Sequence, residues 1–69
     1  MEIKLGEKIK SLRKQKNISQ EVLAQVLGVS FQAVSKWETG ATMPDVSLIP
    51  AIASFFEVST DELCDFNLI

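Results

Sequence analysis

The stretch Ser19-Gln20-Glu21-Val22-Leu23-Ala24-Gln25-Val26-Leu27-Gly28-Val29-Ser30 holds a helix, its stop and the start of a second helix. Ser19 carries the short side-chain oxygen that satisfies an orphan amide at a helix start. Leu23, Ala24 and Leu27 follow at helical spacing, which predicts a helix from Gln20 to about Leu27 with one apolar face. Gly28 falls where the chain needs a left-handed residue, a conformation glycine adopts without a Cβ clash. Two residues later Ser30 repeats the capping signature and opens a helix from Phe31 to about Glu38, with Val34 and Trp37 inward and Gly40 closing it. The link Gly28-Val29-Ser30 is too short to fold the two helices back antiparallel, so they must cross steeply. Ala24 keeps the crossing close, and Val29 fills the corner.

Outward from this unit the pattern stays helical, and no strand signal of comparable strength occurs. Upstream, Leu5, Ile9 and Leu12 line one face of a helix over 5–16, with Lys8, Lys10, Lys14 and Lys16 elsewhere on it and Asn17 as terminator. Downstream, Thr39 to Pro44 is turn-rich. A helix over 47–56 follows, capped by Ser47, with Pro50 in the first turn where its missing amide is harmless. Leu48, Ile49, Ile52, Ala53 and Phe56 form its buried face. Ser59 or Thr60 caps a last short helix over 60–64, with Asp61 and Glu62 at its positive end and Leu63 inward. Residues 65–69 form an apolar tail, and the whole of 1–69 reads as a single domain.

Composition removes several function classes. The chain of 69 residues has no histidine and a single cysteine, Cys64, which reads as a small apolar filler and excludes an internal disulfide. There is no nucleophile with a partner base, no phosphate loop and no metal-ligand cluster; the adjacent Asp61 and Glu62 read as helix-start charges. An enzyme, a metal site and a cofactor are therefore not expected. Neither a membrane span nor a secretory signal is visible, so a cytoplasmic protein is expected.

The net charge of −2 hides an uneven layout. Residues 1–36 carry all seven basic side chains (Lys4, Lys8, Lys10, Arg13, Lys14, Lys16 and Lys36) against Glu2, Glu7 and Glu21, a net of +4, while residues 37–69 carry six acids and no base. Fields fall off over about 8 Å at physiological salt, so a locally basic face can serve a polyanion despite the average. The acidic half predicts weak non-specific affinity for DNA.

Ser19-Gln20, Leu23-Ala24, Gly28-Val29-Ser30, Val34-Ser35-Lys36-Trp37-Glu38 and Gly40 together resemble the Cro/repressor-type, XRE-like helix-turn-helix family. The likeness continues through Pro44, the run Leu48 to Phe56, Val58 and Asp61-Glu62-Leu63, and so covers nearly all of residues 5–63. It implies an all-α fold, a compact five-helix bundle of the lambda-repressor-like DNA-binding kind. It also implies a transcriptional regulator, expected to be a repressor, that reads a double-stranded DNA operator with its third helix, usually as a homodimer. A C-terminal effector domain outside this chain would suit such a regulator.

With Val34 and Trp37 inward, the helix over 31–38 turns Phe31, Gln32, Ser35 and Lys36 outward. In the phage repressors that the chain resembles, the first, second and sixth positions after the cap reach bases, which here are Phe31, Gln32 and Lys36. Glutamine can pair with adenine, lysine can donate to guanine, and a ring can meet a thymine methyl. Gln20 matches the family's phosphate-binding glutamine, at a helix start that favours an anion. Ser30, Ser35 and Thr39 are further phosphate candidates, with Lys10, Arg13 and Lys14 supplying charge nearby. The resemblance further implies a structural salt bridge between Arg13 and Glu38, preferred here to a DNA contact for Arg13.

Blander readings stand beside these. Gln32 and Lys36 could be solvated surface residues, Phe31 could pack on the first helix, and Trp37 reads as core before DNA contact. At the level of function, the competing reading is a helix-turn-helix fold used as a protein-interaction or antitoxin-like module, favoured by the acidic balance and by Phe66, Leu68 and Ile69. The last helix plus the tail is the expected dimer surface.

Overall fold

The computed structural model describes residues 5–64, with side chains through residue 63. Those residues form helix α1 (Leu5–Gln15), α2 (Gln20–Leu27), α3 (Phe31–Thr39), a single 3₁₀ turn (Val46–Leu48), α4 (Ile49–Phe56) and α5 (Thr60–Cys64). The described residues are all-helical, with no strand among them.

Local chemistry sets most of the boundaries. Ser19 Oγ accepts the Val22 amide at 3.1 Å and Ser30 Oγ accepts the Ala33 amide at 3.1 Å, so each serine starts its helix by filling an orphan donor. Ser59 does the same for α5, accepting from the Glu62 amide at 3.0 Å. Helix α2 ends at Gly28 with φ of 74°, and the next amide, of Val29, returns to the Ala24 carbonyl at 3.0 Å. The same closure recurs where α1 ends, Ile18 to Arg13 at 3.3 Å, and where α4 ends, Val58 to Ala53 at 3.0 Å. In each case an apolar residue follows the left-handed one, and Ile18, Val29 and Val58 all pack against the core. At the α1 and α4 ends the left-handed residue is not glycine but Asn17 (φ 59°) and Glu57 (φ 60°).

Three boundaries differ from the sequence expectation. Helix α1 stops at Gln15, and the Lys16 amide is shared between the Leu12 and Arg13 carbonyls as the chain tightens toward Asn17. Helix α3 runs on to Thr39. The segment expected as one helix over 47–56 is split, and Ser47 is not its cap. Asp45 Oδ1 takes the Ser47 amide at 2.9 Å and the Asp45 carbonyl takes the Leu48 amide at 2.8 Å, which winds a 3₁₀ turn ahead of α4. Helix α4 then starts without a side-chain cap, and Pro50 sits in its first turn where no donor is needed.

The core is formed by Leu5 and Ile9 of α1, Leu23 and Ala24 of α2, Val34 and Trp37 of α3, Ile52, Ala53 and Phe56 of α4, and Leu63 of α5. Leu12, Leu27, Leu48 and Ile49 pack around it half-buried. Helix α3 lies against both α1 and α2, which places it as the pivot of the fold. One approach is very close: a Cβ built on Gly6 would overlap the Trp37 carbonyl oxygen and lie 2.9 Å from its carbon. Glycine in the first turn of α1 is therefore what lets that helix meet the end of α3. A further contact joins sequence-distant elements, with Lys16 Nζ lying 5.2 Å from the centre of the Phe55 ring, itself edge-on to Phe56.

Candidate nucleic-acid interface

Helix α3 is held down by three buried residues, with Ala33 packed half-buried beside them. Val34 and Trp37 enter the core, and Glu38 is the one buried charged residue among those described. Gln32, Lys36 and Thr39 are exposed on the opposite side, with Phe31 exposed and Ser35 half-buried along its flank. Phe31 is 46% exposed, next to Gln32 at the start of α3. The spacing of these residues, one helical turn apart along α3, makes a continuous strip.

Glu38 anchors the helix from its inner side. Arg13 Nε donates to Glu38 Oε2 at 2.7 Å and Arg13 Nη2 to Oε1 at 3.1 Å, while Arg13 Nη1 donates to the Ile18 carbonyl at 2.8 Å. The guanidinium thus ties α1 both to α3 and to the turn before α2. Gln20 joins the same group, its Nε2 donating to Glu38 Oε1 at 2.9 Å. Burial by itself would raise the Glu38 carboxyl. The hydrogen bonds from Arg13 and Gln20 and the charges of Arg13 and Lys10 outweigh it and hold the group below its ordinary value, so it stays ionised near neutrality.

Ser30 uses its oxygen as acceptor for the Ala33 amide and keeps its hydroxyl hydrogen to donate. Thr39 spends that hydrogen within α3, on the Lys36 carbonyl at 3.1 Å. Lys10 and Lys14 are exposed on α1. Helix α5 buries Leu63 and exposes Asp61 and Glu62, so the apolar part of the surface expected there falls to residues 65–69, outside the described residues, as does the side chain of Cys64. Among the described residues no cluster of His, Cys, Asp and Glu is placed to hold a metal ion, and no helix is long and apolar enough to cross a membrane.

Two features of the site were missed from sequence. The bond between Gln20 and Glu38 spans eighteen residues and has no local signature. Gly6 did carry a signal, since an isolated glycine inside a helical pattern marks either a weak point or a close approach.

A helix-turn-helix family model matches residues 9–63. The chain belongs to the Cro/C1-type helix-turn-helix family. This helix-turn-helix domain is 44% identical over 61 residues to the transcriptional activator BcrR of Enterococcus faecalis, covering 88% of this chain and 30% of BcrR. It is 36% identical over 64 residues to repressor protein C2 of Salmonella phage P22, covering 93% of this chain and 30% of that one. The P22 c2 repressor solved in complex with a synthetic operator superposes with a TM-score of 0.80 at 33% identity, over 91% of this chain and 94% of that chain. The helix-turn-helix domain thus spans about 30% of the length of these two curated relatives.

Proposed function

We propose that this chain is the operator-reading domain of a transcriptional regulator, binding double-stranded DNA sequence-specifically with α3 in the major groove. The observation that carries the reading is the exposed strip Phe31, Gln32, Lys36 on a helix pinned from behind by Val34, Trp37 and Glu38. The fold superposes on a repressor solved with its operator, which supports that assignment. In this reading Phe31, Gln32 and Lys36 meet base edges. Gln20, Ser30 and Ser35 contact phosphates from two helix starts and the edge of α3, and Thr39 does so once its hydroxyl turns away from the Lys36 carbonyl.

One reading helix offers too few base contacts for useful specificity, so two copies act on half-sites about 34 Å apart. The similar proteins include an activator and a repressor. The domain is therefore read as the DNA-binding part of a regulator, expected to be a repressor, and its fold alone does not set the sign of regulation. The work proposed for this face is binding and not catalysis, in the cytoplasm.

Selection of bound duplexes from a random double-stranded library at low salt tests this. A two-fold symmetric motif with half-sites one helical turn apart is the expected result, and its binding weakens steeply as salt is added. A folded sample that enriches no sequence would replace this reading with one in which the same face meets a protein.

A further inference from the structure

The Arg13–Glu38 pair explains how α1 and α3 are joined, but it leaves one bond over. Glu38 Oε1 also takes the Gln20 amide at 2.9 Å, although Arg13 already supplies the carboxylate with two donors. Gln20 is the first residue of α2, next to the Ser19 cap, where the opening amides have no partner within the helix.

We infer that Glu38 is a positioning residue for Gln20: by accepting one N–H of the side-chain amide, it fixes which end of that amide is offered to a DNA phosphate. This rests on the DNA-binding reading above. An ionised carboxylate accepts and never donates, so Gln20 must turn its NH₂ and not its carbonyl toward Glu38. The reversed amide would set two oxygens against each other. With one hydrogen of Nε2 spent on Glu38, the second remains to donate at the start of α2, where Ser19 takes the Val22 amide and leaves those of Gln20 and Glu21 without a helical partner. Arg13 and Lys10 offset the negative charge that Glu38 would otherwise bring near a phosphate. Without Glu38 the glutamine is free to rotate, and freezing it on binding costs affinity.

The test is a double-mutant cycle in the full chain with Gln20→Ala and Glu38→Gln, binding measured on the selected operator and on an unrelated duplex of equal length. Glu38→Gln, which keeps only a neutral acceptor that can flip, is expected to weaken both duplexes by about tenfold without changing base preference at a temperature where circular dichroism shows the variant folded, the scale of a hydrogen bond to a charged group. In the Gln20→Ala background the same substitution should change affinity by less than about twofold. An equal loss on both backgrounds would mean that Glu38 matters only for the fold, and tighter binding would mean that it sequesters Gln20; either overturns the inference. Failure of the unmutated chain to bind any duplex would instead overturn the DNA reading itself. A second readout needs no variant. In the side-chain amide spectrum of Gln20, one proton should stay held and the other shift when the operator is added, whereas loss of the held proton on binding would contradict the positioning role.

Discussion

Arg13 meets Glu38 through two parallel hydrogen bonds, at 2.7 and 3.1 Å, with only 12% of the arginine side chain and 2% of the glutamate side chain exposed. A fork-to-fork pair of this kind gives geometric definition as well as attraction. Its net worth against an apolar pair is small, because both charges had to leave water. Its removal is another matter, since the partner left behind stays buried and charged.

Glu38→Ala is accordingly expected to cost about 3–5 kcal/mol. A domain this small falls by about 4–8 °C in melting temperature per kcal/mol, so a large drop should be visible by circular dichroism, with urea unfolding as the check. A melting temperature within a few degrees of the unmutated chain would show that Arg13 finds another acceptor.

The same carboxylate makes stability depend on acid. Its folded-state pKa lies below the ordinary glutamate value of about 4.3, with Arg13, Gln20 and Lys10 as the stabilising neighbours. The contribution is therefore complete above that ordinary value and is lost as pH falls through the lower, folded one. Urea unfolding between neutral and strongly acid pH should show stability declining on the acid side, and Glu38→Gln should flatten that decline. Identical slopes in the two proteins would assign the acid sensitivity to other carboxylates.

Gly6→Ala sets two effects of opposite sign against each other. Helix propensity favours alanine by about 1 kcal/mol. The added Cβ, however, would overlap the Trp37 carbonyl, a backbone atom that cannot rotate aside, and forcing such a contact costs about 1–3 kcal/mol. Destabilisation is expected, read as a lower melting temperature; a rise would mean that α1 and α3 separate readily.

Phe31 and Gln32 should separate stability from recognition. Gln32 is exposed, so Gln32→Ala should leave unfolding within about 0.5 kcal/mol of the original, while Phe31, 46% exposed, should cost no more than about 2 kcal/mol as alanine. Each replacement should relax base preference at one half-site position by about 1–3 kcal/mol. Gln20→Ala should instead weaken all duplexes about equally. A variant at Phe31 that melts early yet selects an unchanged motif would return that ring to a packing role.

The order of elements was legible because each is announced locally. Ser19, Gly28 and Ser30 lie within twelve residues, and the hydrogen bonds that make them caps and a turn reach only three to five positions along the chain. Spacing of Leu23, Ala24, Val34 and Trp37 settled which side of α2 and α3 is buried, and with it which side of α3 faces out. Where two local options competed, at Asp45 and Ser47, the carboxylate two residues earlier took the Ser47 amide, and the expected helix became a 3₁₀ turn followed by α4.

The amino-acid sequence by itself determined the helices of the described residues, the tight link from α2 to α3 and an exposed strip on α3, because short-range hydrogen bonds and hydrophobic periodicity act between near neighbours. Tertiary structure alone decided that Gly6 would lie under the Trp37 carbonyl, that Lys16 would reach Phe55, and that Gln20 would share Glu38 with Arg13. Those contacts join residues that only packing brings together, and the long side chains of lysine, glutamine and arginine have many conformations until a neighbouring helix selects one.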